Sequence, residues 1–496
     1  MIELKKINES YFYINSFDNM VLDQISNEFT FYVKNFQYHP KYKKLDSNGR
    51  RRWDGKIRLF NKKTKLLYVG LFDLLTKYFD INKIEYIGDP KLYKKVEFSA
   101  TEIENWIKSL NVPLEKYNHQ LQLVQAALIE NRLIAISPTS SGKSFALYLY
   151  IKYLLENYLK PTDKILLTVP VINLVEQMAT DFEKYDENYG TITKKIHRIR
   201  GGFSKHSDKQ IYISTWQSIY DMEQDYFEQF KVLIMDETHR FSSECTKMLA
   251  EKSINANFRL GVTGTLDDWK TNNIMLQGII GKIVKIIKTS DLIKEKILTP
   301  LRIFNIIIGY SKNDRENIGH TKIYARELQY ILDHPARLDL VVSTIIQLPH
   351  NSLVLFTRLD YGKKILQNLR DKTQKRLYYV DGETPVSERE QIRRDVELEK
   401  DCVLVASAQI FSTGVNIKNI HNVFLTSGGK SKIRLLQSIG RGLRLHKTKN
   451  VLTVIDFIDD LSLPSKNNFM LKHYHQRQNF YIQEGFPYQT REIKLS

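Results

Sequence analysis

The stretch RLIAISPTSSGKSFALYLYIKYLL, residues 132–155, decides the fold of this chain. It opens with a short apolar run, which is typical of a strand buried on both faces of a parallel sheet. A loop of small residues follows at 137–142, and the residues after it have the apolar content of a buried helix. A strand, a glycine-containing loop and a helix in this order predict an α/β domain.

The loop within this stretch, SPTSSGKS (137–144), has the pattern of a phosphate-binding loop. Backbone N–H groups of such a loop and of the helix N-terminus bind phosphate oxygens. Lys143 is predicted to contact the β- and γ-phosphates of ATP, and Ser144 to ligate Mg²⁺. The remaining predicted ATP-binding residues of the loop are Ser137, Pro138, Thr139, Ser140, Ser141 and Gly142.

A second apolar run, KVLIMDETH (231–239), ends in two carboxylates. An acidic pair at a strand end is costly unless a positive group such as a metal ion lies beside it. Asp236 is predicted to hold Mg²⁺, and Glu237 to bind at the ATP site and deprotonate the attacking water. For His239 a structural loop role and a functional role are equally compatible with the pattern.

Short strand-like runs alternate with helical stretches in two series, with a break near residues 291–300. The first series is RLIAIS, KILLTVP, QIYIST, KVLIMD and FRLGVTG, and the second is SLVLFT, RLYYVDG, CVLVAS, NVFLTS and LTVIDF. This alternation predicts two parallel-sheet α/β domains, at residues 99–296 and 297–496.

The segment QSIGRGLR (437–444) is predicted to start a helix with Gln437, Arg441 and Arg444. The two arginines are three residues apart, so they are expected to share one helical face. There they would stabilise the charge on a triphosphate held by the neighbouring domain. The alternative is a solvated basic helix face.

Residues 1–98 differ in pattern and are predicted to form a small basic α+β domain, with a strand over FTFYVKNFQYHP (29–40) and a helix over 70–82. Between residues 41 and 65 there are eleven Lys or Arg against two acids. The whole chain has a formal charge of +18, which favours a nucleic-acid partner.

The 496 residues predict several domains with sizeable cores. No run of 18 apolar residues and no leader pattern is found, so a membrane-spanning or secreted protein is not expected. Two distant cysteines fit a reducing compartment. We therefore expect a cytoplasmic protein with no membrane partner.

Together these segments resemble the ordered motifs of superfamily 2 DExH helicases across residues 115–446. Further matching segments are Gln120 in YNHQLQLVQAAL, VPVINLVEQ (169–177), STWQS (214–218), TGT (263–265) and ASAQIFSTGVNI (406–417). The resemblance implies two tandem RecA-like domains, ATP and Mg²⁺ as cofactors, and 3′ to 5′ polarity.

The resemblance also implies roles for individual residues. Gln120 would read adenine, and Gly414, Gln437, Arg441 and Arg444 would join the ATP site. His239, Thr263 and Thr265 would couple nucleotide state to movement. The implied DNA-contacting residues of the core are Pro170, Thr215, Gln217, Thr357 and Thr413.

The basic first block, with WDGKIRL and LLYVGL, and the tail LTVIDFIDDLSL resemble the recombination and repair helicases of T-even bacteriophages. That likeness implies unwinding of Holliday junctions, forks and RNA–DNA loops, together with strand annealing. It implies branched or double-stranded DNA and RNA–DNA hybrids as partners, single-stranded-DNA-binding or recombination proteins beside them, and the bacterial host cytoplasm as location.

In RRRWDGKIRLF (50–60) the cationic side chains Arg50, Arg51, Arg52, Lys56 and Arg58 are predicted to hold duplex phosphates. Trp53 has two interpretations: it anchors the core of the small domain, or it stacks on an unpaired base. Three other functions remain open. They are an RNA helicase, a DNA-binding protein with an inactive ATPase, and the translocating subunit of a restriction enzyme.

Overall fold

A computed structural model of the chain describes residues 1–33, 35–46, 49, 51–240, 243–266, 270–411, 417–429 and 431–495. The chain forms two compact units. The first consists of Met1–Ser137 and Gly142–Ile286, and the second of Pro138–Ser141 and Ile287–Ser496. Across the described ranges, every helix is too short or too polar to cross a membrane.

The first unit begins with a small mixed sheet and a separate two-stranded ribbon. Its strands are β1 (Ile2–Lys6), β2 (Tyr11–Asn15), β3 (Thr30–Tyr32), β4 (Lys56–Arg58), β5 (Leu66–Tyr68) and β6 (Tyr86–Gly88). Its helices are α1 (Asn19–Glu28), α2 (Pro40–Lys43), α3 (Phe72–Ile81) and α4 (Pro90–Tyr93). The four-stranded sheet has the order β5-β2-β1-β6, and β3 pairs with β4 antiparallel.

The prediction of a strand over residues 29–40 is wrong beyond its first residues. Among the described residues of this range the strand covers Thr30–Tyr32, and a 3₁₀ turn at Phe36–Tyr38 and helix α2 follow. Asn35 adopts a left-handed φ of 54°, which ends the extended path. Pro40 then occupies the first turn of α2, where its missing N–H costs nothing.

The first unit continues with a seven-stranded parallel sheet of order β13-β7-β12-β11-β8-β10-β9. Its strands are β7 (Arg132–Ile136), β8 (Lys164–Val169), β9 (Ile196–Ile199), β10 (Ile211–Thr215), β11 (Phe230–Asp236), β12 (Phe258–Thr263) and β13 (Lys282–Lys285). Its helices are α5 (Ala100–Ser109), α6 (Asn118–Glu130), α7 (Lys143–Asn157), α8 (Ile172–Tyr185), α9 (Trp216–Ile219), α10 (Gln224–Glu228), α11 (Ser243–Lys252) and α12 (Lys270–Ile279).

A buried arginine joins the small N-terminal sheet to this larger sheet. Arg259, on β12, donates to the Ser10 hydroxyl at 2.9 Å, and also to the carbonyl oxygens of Ser253 and Ile279. Burial, with the charge of nearby Arg132 added, lowers the pKa of Arg259 well below its usual range. Because a buried guanidinium needs all its acceptors, removal of residues 1–98 would leave Arg259 short of a partner.

The second unit holds another seven-stranded parallel sheet, of order β16-β17-β15-β18-β19-β14-β20. Its strands are β14 (Leu301–Gly309), β15 (Ser352–Phe356), β16 (Arg376–Val380), β17 (Cys402–Ser407), β18 (Asn422–Leu425), β19 (Leu452–Asp460) and β20 (Tyr488–Lys494). Its helices are α13 (Thr289–Lys294), α14 (Lys312–Ile318), α15 (Tyr324–Asp333), α16 (Pro335–Gln347), α17 (Leu359–Lys372), α18 (Val386–Leu398), α19 (Ala408–Phe411), α20 (Lys432–Gly442) and α21 (Phe469–Glu484).

The predicted fold class is confirmed: two tandem RecA-like parallel-sheet domains accompany a small N-terminal α/β region with a mixed sheet. The domain boundaries at 98/99 and 296/297 remain predictions. In the structure the longer segment of the second compact unit begins at Ile287.

A histidine in the second unit makes stability depend on pH. The rings of His421 and His350 stack at 4.7 Å, and burial, with the charges of His350 and Lys449 added, lowers the pKa of His421 from 6.5 to about 4. Between these pH values the unfolded chain binds a proton that the folded chain does not, so stability is lost as pH falls. We expect the free energy of unfolding to drop by on the order of 1–3 kcal/mol from pH 6.5 to 4.

Urea unfolding of the wild type and of His421→Gln, measured at several pH values, checks this. The variant should lose less stability than the wild type over the same interval. Parallel pH profiles for the two proteins would contradict the assignment.

Candidate functional site

The predicted phosphate loop lies at the carboxyl end of β7, which is an interior strand of the first large sheet. Ser137 donates its backbone N–H to the carbonyl of Thr263 at 2.9 Å, which fixes the entry of the loop. Gly142 has φ of 80° and precedes the first residue of α7. The Gln120 side chain occupies the position where a Cβ on Gly142 would lie, so glycine is required for two reasons.

Lys143 and Ser144 form the first turn of α7. The Lys143 ammonium donates to the Ser137 carbonyl at 3.2 Å, so the side chain folds back over the loop. The Ser144 hydroxyl lies 3.2 Å from the Tyr185 hydroxyl. Sequence reasoning missed Tyr185, because 41 residues separate it from Ser144.

Gln120 is held beside the loop by its own helix. Its Oε1 accepts the Tyr117 backbone N–H at 3.1 Å, and its own backbone N–H donates to the Tyr117 carbonyl at 2.9 Å, at the start of α6. The His119 ring stacks on Tyr117 with centroids 5.8 Å apart. This arrangement fixes the position of the amide that is predicted to read adenine.

The carboxylate pair lies where the sequence places it, at the end of β11. Asp236 is the last residue of the strand and is 9% exposed. Glu237 follows with a left-handed φ of 50°. A non-glycine residue in that region costs on the order of 1–3 kcal/mol, and such strain concentrates at functional sites. A hydroxyl at Ser144 and a carboxylate at Asp236 are the hard oxygen donors that suit Mg²⁺.

A chain of contacts connects Glu237 to the predicted coupling residues. The Glu237 carboxylate lies 3.3 Å from His239 Nδ1, and that nitrogen lies 2.6 Å from the Thr263 hydroxyl. Thr263 donates its hydroxyl proton to the Thr265 carbonyl at 2.8 Å, so the His239 nitrogen acts as donor to Thr263. The structure thus brings His239, Thr263 and Thr265 together next to the carboxylate pair.

In the second unit, the expectation that Arg441 and Arg444 share a helical face is wrong, because α20 ends at Gly442. The Lys449 ammonium donates a hydrogen bond to the Gly442 carbonyl at 2.7 Å. The Thr299 backbone N–H donates to the Leu443 carbonyl, and the Thr299 hydroxyl donates to the Arg444 carbonyl. These donors satisfy the carbonyl groups that a further helical turn would otherwise have bonded.

Arg444 has a side-chain partner within the second unit. Pro138–Ser141 belongs to the second unit, and Arg444 Nε donates to the Ser140 hydroxyl there at 2.8 Å. Gln437 is buried on α20, and Arg441 is half-buried.

The predicted DNA-contacting residues of the core lie at strand ends. Pro170 follows β8 and Thr215 ends the neighbouring β10, but both residues are buried. Gln217 on α9 and Thr357 after β15 are exposed. Three further predicted site residues lie outside the described residues: Arg50, Thr413 and Gly414.

The basic stretch of the N-terminal region forms an exposed surface around β4. The Arg51 guanidinium lies 3.9 Å from the Tyr42 ring centroid, and the Lys56 ammonium 4.8 Å from that of Tyr32. Arg52 is exposed and makes no ion pair with any described residue. Arg58 pairs with Asp54, which leaves it less available to a phosphate.

Trp53 is half-buried within this surface. Its indole N–H donates to the Lys56 carbonyl at 2.8 Å, and its ring packs edge-on against His39 at 5.0 Å. These contacts support the interpretation of Trp53 as a structural anchor, here of the two-stranded ribbon.

Comparison with known proteins gives consistent results. Residues 99–268 match the family described as "Type III restriction enzyme, res subunit", and residues 337–446 match "Helicase conserved C-terminal domain". The chain is 31% identical over 494 residues to the ATP-dependent DNA helicase uvsW of Enterobacteria phage T4, with 95% of each chain covered.

The crystal structure of T4 UvsW superposes with a TM-score of 0.52 at 30% identity, and 100% of both chains is covered. The chain is also 24% identical over 425 residues to the DNA 3'-5' translocase XPB2 of Sulfurisphaera tokodaii. That alignment covers 77% of this chain and 89% of the relative.

Proposed function

The chain belongs to the superfamily 2 ATP-dependent helicases, in the branch that contains phage T4 UvsW, and from this membership we propose that it unwinds and remodels branched DNA with 3′ to 5′ polarity. The proposed substrates are Holliday junctions, replication forks and RNA–DNA loops. Annealing of complementary strands, and action beside single-stranded-DNA-binding or recombination proteins in a bacterial host cytoplasm, are parts of the same proposal.

One observation carries the proposal on the nucleotide side. Lys143, Asp236 and Glu237 lie at the carboxyl ends of strands of one sheet, and Gln120 lies against the loop that contains Lys143. A ligand binds at this edge in open parallel sheets. Bound Mg²⁺ would neutralise phosphate charge, with Ser144 and Asp236 as its protein ligands.

The protein groups then have separate tasks. Lys143 holds the terminal phosphates, and Glu237 takes the proton of the attacking water. Arg441 and Arg444 stabilise the negative charge that develops on the transferred phosphoryl group. The contacts through His239 and Thr263 transmit the state of Glu237 to the loop around Thr265.

On the nucleic-acid side, charge and the named relatives support DNA. The net charge of +18 and the exposed cations around β4 suit a polyphosphate backbone. T4 uvsW is named a DNA helicase, and XPB2 a 3'-5' DNA translocase, which supports the proposed substrate class and polarity.

Stimulation of ATP hydrolysis tests the substrate class. Forked DNA and a structured RNA of equal length are titrated into the protein with saturating ATP and Mg²⁺. We expect the forked DNA to give the larger maximal rate and the lower half-saturating concentration. A stronger response to the RNA would replace the proposal with an RNA helicase.

A second candidate has one specific observation behind it, the match of residues 99–268 to a restriction-enzyme subunit family. In that case the chain would be the DNA-translocating subunit of a restriction enzyme, and strand separation would not be its task. Linear duplex would then stimulate hydrolysis as strongly as forked DNA, and the fork would stay intact.

The surface around β4 is expected to supply phosphate contacts. Arg51→Gln combined with Arg52→Gln should weaken fork binding and lower the slope of log affinity against log salt by about 2, since each lost phosphate contact removes about one unit. Lys294→Gln with Lys312→Gln is the matched control, because those side chains are 78% and 90% exposed in the second unit. Equal slopes for the two double variants would remove Arg51 and Arg52 from the DNA interface.

A further inference from the structure

A cavity of about 480 Å³ opens in the second unit, at the carboxyl ends of three neighbouring strands. Thr357 follows β15, Ala408 follows β17 and Thr426 follows β18, and all three line the cavity. Ligands of parallel α/β sheets bind at this edge. The volume lies within the range of about 300–1,000 Å³ found for small-molecule pockets.

The cavity has an apolar interior and one aromatic wall. Leucine side chains from helices and strand ends form the interior: Leu328, Leu355, Leu425 and Leu435. Tyr324 forms the wall, and its ring centroid lies 5.1 Å from that of His473 and 6.0 Å from that of Phe469. A ring packed in this way can stack on a flat ligand without a large loss of side-chain entropy.

The rim of the cavity is held rigidly. Thr357 donates its N–H to the Ser427 hydroxyl at 3.3 Å, which ties two strand ends together. Arg477 donates to the Gly429 carbonyl at 2.9 Å while it pairs with buried Asp456 through two bonds. Because these groups are already fixed, a ligand meets a preformed site.

A cation lies at the mouth. Arg358 is exposed, lines the cavity and forms no ion pair with any residue that the structure describes. Arg358 and Arg477 line the cavity together with Tyr324. Burial and the charge of Glu327 raise the pKa of the Tyr324 hydroxyl, and the positive charges of the two arginines oppose that rise. The site therefore combines an aromatic face, an apolar interior and a positive charge.

We propose that this cavity receives one nucleobase of the bound strand, stacked on Tyr324, while Arg358 contacts the adjacent phosphate. The inference rests on the proposed function, in which Thr357 on the same rim contacts the strand. An apolar slot with an aromatic wall suits the face of any base, and a cation at its mouth suits the phosphate beside it. One base removed from the stack would hold the strand without sequence preference.

A series of single-stranded oligonucleotides, each with one abasic site at a different position, tests this directly. Equilibrium binding is measured for the wild type, Tyr324→Ala and Tyr324→Phe. We expect the wild type to lose about tenfold in affinity at one position, the factor typical of a single base stacked on an aromatic side chain. Tyr324→Phe should keep this dependence on position, and Tyr324→Ala should lose it.

Tyr330→Ala is the matched control, since Tyr330 lies on the same helix α15 and its hydroxyl binds Asp314 outside the cavity. It should retain the position-specific loss. The proposed base pocket would be overturned if an abasic site lowered the affinity of the wild type equally at every position. It would also be overturned if a position-specific loss of affinity persisted in Tyr324→Ala. A wild type that binds no strand at all would instead overturn the proposed function.

Discussion

Lys143→Ala is expected to lower the rate of ATP hydrolysis by a thousandfold or more, roughly the loss seen when a central charge-stabilising group is removed. The Lys143 ammonium folds over the loop and touches the Ser137 carbonyl, and the proposal has it hold the terminal phosphates. Unwinding, which depends on hydrolysis, should fall with it. Steady-state phosphate release on forked DNA, with and without the substitution, measures the effect.

The fold should survive this change, because Lys143 lies in the first turn of α7, which its buried apolar residues hold in place. Binding of forked DNA without nucleotide should stay within about twofold of wild type. Lys143→Arg keeps the positive charge but changes its shape. This variant should also hydrolyse ATP slowly, because a planar guanidinium does not replace a compact ammonium. Turnover that is unchanged in Lys143→Ala would remove the loop from the catalytic site.

Glu237→Gln is expected to slow hydrolysis by about 10²–10⁴-fold while leaving ATP affinity nearly unchanged. The amide has the size of the carboxylate but cannot accept the proton of the attacking water. Single-turnover hydrolysis gives the rate, and binding of a fluorescent ATP analogue gives the affinity. Because ATP then persists, the variant should also hold DNA in the ATP-bound state.

Glu187→Gln is a matched control, since this glutamate is exposed and follows α8 in the first unit. It should hydrolyse ATP at the wild-type rate. If Glu237→Gln lost affinity for ATP as strongly as it lost rate, the carboxylate would have a binding role and not that of a base.

Local sequence was sufficient to predict the elements that hold the nucleotide site. Apolar runs fix β7 and β11, and the residues that follow each run in sequence must lie at the carboxyl edge of the sheet. Lys143, Asp236 and Glu237 therefore follow strands of one sheet at its carboxyl edge, and their joint role at an ATP site stays a prediction. The edge strands β9 and β13 were not predicted, because IHRI and KIVK are short and partly polar.

Contacts between distant residues could not be predicted in this way. Arg259 binds Ser10 across 249 residues, and neither residue type signals the pairing. The end of α20 depends on Lys449 and Thr299, which lie outside the helix, so helical spacing alone misplaced Arg444. The Tyr324 cavity likewise exists only after α15, α20 and three strand ends have packed.

Unwinding of a labelled four-way DNA junction tests the central claim most directly. The protein is mixed with the junction in ATP and Mg²⁺, in a non-hydrolysable ATP analogue, and as Lys143→Ala in ATP. We predict that only the wild type with ATP converts the junction to its product duplexes. A junction that stays intact with the wild type and ATP, or that is resolved equally well without hydrolysis, would contradict the claim.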